Sequence, residues 1–198
     1  MNKNKDFYII DTYLTKEIKL SNSIFISHLE YADNFEDIKY FISNTSELYK
    51  DATHNCWAYI TGINGNNMHS SDDGEPAGTA GKPILNTLQK YNLTNVVAIV
   101  TRYYGGTKLG VRGLIDAYSK ITEDAILSTQ LKKLVEKQTY KITIAYDFFD
   151  ILKHKIKDFN SELLNVEYSD KIKINISVEK KFSLEFEYFI KSNNYIFE

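Results

Sequence analysis

The 198-residue sequence predicts an α+β protein in two units, and three observations predict it. Stretches with strand alternation and stretches with helical spacing follow one another along the chain. All nine glycines, both prolines and both arginines lie between Gly62 and Gly113, whereas nothing from Leu114 onward is Gly, Pro, Arg, Cys or Trp. The second part also has its own rhythm, with a β-α-β-β-α order. The boundary is expected near Leu134, giving units 1–134 and 135–198.

Residues 24–31 read as a strand. Asp33 with Glu36 has the form of a capping box opening a helix to about Lys50, whose buried face would be Phe35, Ile38, Phe41, Ile42 and Leu48. Residues 52–61 read as a second strand, and 62–78 as a polar loop. A short helix begins at Thr79 or Ala80, with Pro83 in its first turn, where a missing N–H costs little. Residues 95–101 are apolar and β-branched, as in a strand central to its sheet. A glycine loop follows, then a helix over 110–128 with a stripe at Leu114, Tyr118, Ile121 and Ala125.

In the second unit, 140–146 reads as a strand, and Asp147 is placed to cap a helix running through Phe159. Residues 166–178 read as a hairpin turning at Ser169 and Asp170, with Ile172, Ile174, Ile176 and Val178 on one face. Segment 182–190 fits helix and strand spacing alike. The element order favours the helix and hence a small ferredoxin-like βαββα domain.

Composition narrows the function. A net charge of −2 exerts no overall pull on nucleic acid or anionic membrane, so any polyanion site must be local. The single cysteine, Cys56, excludes an intrachain disulfide and a four-thiolate metal site. The opening residues 1–20 have no apolar core like that of a signal peptide, and the longest apolar stretch, 96–100, is far below the ~20 residues of a membrane helix. A cytoplasmic location is expected.

Two loops each deliver the chain into a helix start, where free N–H groups favour anions. In the second, Arg102, Lys108 and Arg112 supply cations, Tyr103 and Tyr104 supply stacking faces, and Gly105, Gly106 and Gly110 free the backbone. Both arginines are expected half exposed and within reach of one ligand. The first loop, with Ser71, Asp72, Asp73, Gly74, Glu75, Pro76, Gly78, Thr79 and Gly81, would shape the site. It is not a nucleotide-binding P-loop, because prolines stand where that motif needs glycine and Ser or Thr. Its acids could hold Mg²⁺, as hard cations prefer carboxylates, or could simply form turns. His54, Cys56 and His69 suggest a nucleophile with a base, or soft-metal ligands, but a cysteine beside Trp57 in a strand is ordinarily packing.

These loops, with the strand 53–59, resemble the signature of the YigZ/IMPACT family: His-Asn-Cys-aromatic-Ala, then Ser-Ser-Asp-Asp-Gly-Glu-Pro-x-Gly-Thr-Ala-Gly, then Thr-Arg-Tyr-aromatic-Gly-Gly-x-Lys-Leu-Gly. The resemblance runs from about Glu17 to Leu127. It implies a first unit folded like the second domain of ribosomal protein S5, and a second unit similar to the last domain of elongation factor G. It also implies binding to RNA, the ribosome or a translation-associated protein, with no settled reaction or cofactor. Eukaryotic relatives dampen an amino-acid-starvation kinase pathway using a further N-terminal domain, and that role is not carried over to this chain. Two positions depart from the usual pattern: Arg112 where a small residue is common, and Asp116 where a base is common. The alternative reading is a hydrolase of small phosphorylated or peptide-like substrates, with His54, Asp72, Asp73 and Glu75 as acid–base candidates.

Overall fold

The computed structural model describes residues 6–195 and Phe197; of the opening stretch 1–20, the first five residues lie outside the described ones. Two compact units divide the chain, one ending at Leu134 and the other beginning at Val135. Among the described residues no helix is long and apolar enough to cross a membrane.

The first unit runs β1 (Tyr8–Ile9), β2 (Leu14–Leu20), β3 (Ser23–Tyr31), α1 (Phe35–Leu48), β4 (His54–Thr61), β5 (Asn67–Ser71), α2 (Gly81–Lys90), β6 (Val96–Tyr103), α3 (Gly110–Ile126) and β7 (Lys132–Lys133). Five strands make one sheet in the order β2-β3-β6-β4-β5, every neighbouring pair antiparallel. The apolar run of β6 is central because both of its faces are covered. Val96, Ala98 and Val100 join Ile84 and Leu88 of α2 and Leu114, Tyr118 and Ile121 of α3 in the main core. Val97 points the other way and meets Ile38 of α1 together with Ala32 and Tyr59.

Several expectations change. β2 was not foreseen, since Leu-Thr-Lys-Glu-Ile-Lys-Leu carries the charges an edge strand needs rather than clean alternation. It reaches β3 through Ser21 and Asn22, both at positive φ (47° and 67°), a two-residue hairpin turn. β5 lies inside the stretch expected to be loop; it too is a polar edge strand, paired to β4. Asn34 rather than Asp33 caps α1, its side chain accepting from the Asp37 N–H at 2.9 Å. Phe35 and Leu48 are exposed, and Ile38 and Thr45 form the buried line.

The second unit contains β8 (Lys137–Ile144), α4 (Tyr146–Lys155), a 3-10 turn (Ile156–Phe159), β9 (Glu162–Tyr168), β10 (Ile172–Glu179) and α5 (Ser183–Ser192). Its antiparallel sheet has the order β8-β10-β9, so the hairpin returns its second arm beside the first strand. Ile172, Ile174, Ile176 and Val178 form a buried face, and Phe186 and Ile190 of α5 close it. The ambiguous segment is therefore helical apart from Phe182, which sits in a short 3-10 turn before α5. Ala145, not Asp147, occupies the N-cap of α4 and makes no side-chain cap.

One buried polar group in the first sheet has a measurable consequence. His28 of β3 is 1% exposed, its Nδ1 is hydrogen-bonded to Tyr13 Oη at 2.7 Å, and Nε2 has no hydrogen-bond partner among the described residues. Burial lowers its pKa from 6.5 to about 4, because a charged ring there would be desolvated.

Two outcomes are expected. A chain truncated after Leu134 should keep a cooperative thermal transition, because its main core contains no residue of the second unit. Loss of that transition would show that the two units do not fold separately. For His28, the unfolded chain binds the proton more readily than the folded one. Its contribution is thus complete above pH 6.5 and is lost as the pH falls towards about 4, on the order of 3 kcal/mol at most. Urea unfolding across that window should show a shallower decline for His28→Phe than for the parent chain.

Candidate functional site

The site grows from the last residues of β6. This strand continues two residues past the expected end at Thr101, and its alternation turns Arg102 inward on the face that carries Ala98 and Val100. Phe25 of β3 is its register partner on one side and His54 of β4 on the other. Arg102 is 4% exposed, with its guanidinium carbon 5.2 Å from the Phe25 ring centre and 5.3 Å from that of Tyr104. Nη1 donates to Glu75 Oε1 at 2.5 Å. The same oxygen accepts the Tyr118 hydroxyl at 2.8 Å. The half-exposed phosphate fork expected at Arg102 is instead a buried ion pair.

Glu75 reaches this position because the preceding loop is built for it. Asp73 and Gly74 have φ of 41° and 82°, and the Glu75 N–H donates to the Asp72 carbonyl at 2.9 Å, so Asp-Gly makes a tight turn. The Asp72 carboxylate accepts from Gly78, Ala80 and Gly81 N–H groups at 2.7, 3.0 and 2.8 Å. Burial raises its pKa, but those three donors outweigh burial and hold it below the ordinary value. Asp72 thereby ties down the entry to α2, which has no cap of its own at Ala80. Asp73 Oδ2 accepts the Asn55 N–H at 2.5 Å, and its carbonyl is 2.7 Å from His54 Nδ1. A Mg²⁺ ion at Asp72, Asp73 and Glu75 would compete with all these donors, and among the described residues no group of three or more His, Cys, Asp or Glu side chains is arranged to hold a metal.

Strand parity separates the thiol–histidine candidates. His54 and Cys56 share one face of β4, while His69 of β5 lies edge-on to Trp57 and Tyr59 on the other. The Cys56 Sγ–H donates to the Asp72 carbonyl at 3.0 Å. Burial pushes its pKa well up, so the thiol is packing rather than nucleophile. Tyr118, read from the sequence as a core position, is the group that sequence reasoning missed: its hydroxyl joins the Glu75 network, and burial pushes its pKa far up.

The second loop divides in its roles. Tyr103 faces away and donates to Asp51 Oδ1 at 3.0 Å. Gly105 is required sterically, since a Cβ there would lie 2.0 Å from the Asn22 carbonyl oxygen. Gly106 and Gly110 adopt φ of 85° and 70° in open space. α3 then begins with no side-chain cap. Arg112 is 86% exposed and pairs along its own helix with Asp116. A cavity of about 450 Å³ opens between the two loops, lined by His54, Glu75, Arg102, Tyr104, Lys108 and the start of α3. Tyr103, Gly105, Gly106 and Arg112 do not line it. Thr53, Leu109, Val111 and Leu114 do; Thr53 and Leu109 stand in the signature segments, but none of the four is among the expected site residues.

Residues 21–126 match the family model described as the Impact N-terminal domain. The chain belongs to the IMPACT family. IMPACT family member YvyE of Bacillus subtilis is 34% identical over 168 residues, covering 83% of this chain and 76% of that protein. IMPACT family member YigZ of Escherichia coli is 30% identical, covering 83% and 81%. A crystal structure of a hypothetical protein aligns with a TM-score of 0.68 at 27% identity over 94% of this chain and 92% of that one. Both loops and the cavity walls between them fall within the family match.

The ion pair predicts a sharp contrast between the two arginines. Glu75→Ala leaves a guanidinium buried without its counter-charge and is expected to cost about 3 kcal/mol or more. Arg112→Ala removes an exposed helical pair and should change stability by less than about 0.5 kcal/mol. Chemical denaturation of both variants checks this, and equal effects would contradict the buried pair.

Proposed function

We propose that the chain is a translation-linked regulatory protein of the cytoplasm, and that the corner between β6 and α3 is where it contacts RNA of the translation machinery. Membership of the IMPACT family supports the link to translation. One observation carries the choice of surface: Tyr104, Lys108 and Arg112 stand exposed around the uncapped start of α3. Stacking on the Tyr104 ring, charge-assisted donors from Lys108 and Arg112, and the positive end of the helix suit a single-stranded backbone. The β-α-β-β-α order of the second unit supports a ferredoxin-like domain similar to the last domain of elongation factor G. With Arg102 committed to the interior, two side-chain cations remain on the corner, one of them already paired with Asp116. Binding of moderate strength and marked salt sensitivity follows from that arrangement.

The test is Lys108→Ala with Arg112→Ala, measured against single-stranded RNA over a range of salt. The slope of log affinity against log salt should shrink by roughly 1.4, at ~0.7 per phosphate contact. Affinity should fall about tenfold, or 1.4 kcal/mol. Lys155→Ala with Lys157→Ala in the second unit serves as control. Equal weakening by the control, or no salt-dependent binding by the parent chain, would replace RNA with a protein partner.

A further inference from the structure

We infer that the cavity between the two loops takes a primary ammonium group on an apolar carrier, as an α-amino acid or the first residue of a peptide presents it. The inference concerns the Glu75–His54 end of the cavity, whose lining shares Tyr104 and Lys108 with the RNA-facing corner.

Two acceptors face one space. Glu75 has a side chain only 4% exposed, and its Oε1 is taken by Arg102 Nη1 and the Tyr118 hydroxyl. Its Oε2 accepts no hydrogen bond among the described residues. Nor is it one of the fully enclosed unpartnered atoms, which are Ser27 Oγ, His28 Nε2 and Arg102 Nε. Glu75 lines the cavity, and this oxygen is the one it has left to offer there. Facing it at 4.0 Å is His54 Nε2. The other ring nitrogen, Nδ1, lies 2.7 Å from the Asp73 carbonyl, which can only accept, so Nδ1 carries the hydrogen. In the neutral ring, Nε2 then offers a lone pair.

A carboxylate oxygen and an imidazole lone pair 4.0 Å apart are satisfied by one atom that donates twice. A donor about 2.8 Å from each would subtend roughly a right angle, within the range of a tetrahedral ammonium. An alcohol hydroxyl has one hydrogen and cannot serve both, and a water has two but brings no charge to the carboxylate. An ammonium has three, and its charge meets the side of Glu75 that Arg102 does not reach. Most of the remaining wall is apolar, with Pro76, Leu109, Val111 and Leu114 beside Thr53 and Lys108, so the carrier is aliphatic or aromatic. In a free amino acid the carboxylate would meet Lys108 and the uncapped N–H groups of α3.

Calorimetry on the full chain with L-leucine, L-leucinamide and N-acetyl-L-leucinamide decides it. The two ammonium compounds should bind, and the acetylated one should be weaker by about tenfold or more. Leucine above leucinamide assigns a free amino acid; leucinamide and leucyl-glycine at or above leucine assign a peptide terminus. His54→Phe should weaken binding by about tenfold while leaving the salt-dependent RNA binding in place, which separates failure here from failure of the RNA assignment. Val111→Trp, at a wall residue 61% exposed, should fill the cavity and abolish binding without touching the buried ion pair, so the test does not rest on Glu75→Gln folding. Equal binding of the acetylated compound would overturn the inference. So would no detectable heat from any of the three at about 10 mM, weaker than a specific site is expected to be; the two acceptors would then hold water only.

Discussion

A guanidinium and a carboxylate buried together, Arg102 and Glu75, join the parts of the first unit that make the site. Arg102 belongs to the central strand, Glu75 to the acidic loop, and Tyr118, which shares the Glu75 oxygen, to α3. Taking two charges out of water costs several kcal/mol per ion, and a pair repays this only with good geometry and satisfied neighbours. Here the guanidinium lies against two aromatic rings, and the carboxylate receives two donors on one oxygen. Such a pair contributes little net stability against an apolar replacement. Its value is positional: it ties Arg102 of the central strand, Glu75 of the acidic loop and Tyr118 of α3 to one another.

The same constraint shapes what the surface can do. A third cation on the corner between β6 and α3 would have made a stronger polyanion site, but it is spent inside. What remains outside is an aromatic face, one free and one paired cation, and a bare helix start. What remains inside is a carboxylate with one oxygen uncommitted. The proposed partner surface and the proposed small-ligand cavity therefore share the start of α3 as a wall. Gly105 and Gly81 keep that geometry closed, since a Cβ on either would collide with the backbone of Asn22 or of Ser71.

The clustering of Gly, Pro and Arg between Gly62 and Gly113 picked out the two loops between which the cavity opens, because residues with special backbone or donor chemistry are informative wherever the rest of the chain avoids them. The central strand, the stripe of α3, and the isoleucine face of β10 with its covering helix were equally legible. Periodic burial is a local pattern, and its period alone distinguishes strand from helix. The polar edge strands β2 and β5 were not legible, since an edge protects itself with charges that blur the alternation. Nor was the cap at Asn34, where one-residue precision is needed.

The direction of Arg102 lay beyond the sequence for a different reason. Whether a strand residue points inward depends on where its strand ends, and successive side chains alternate. β6 ends at Tyr103, paired with Ile24, one residue beyond the pairing of Arg102 with Phe25 and His54, and those partners are dozens of residues away in the chain. The sequence by itself therefore determined the fold class, the family signature and the two loops that border the cavity. Only the tertiary structure decided that one arginine is an internal counter-charge and the other a surface cation, because that choice depends on strand pairings that no local pattern records.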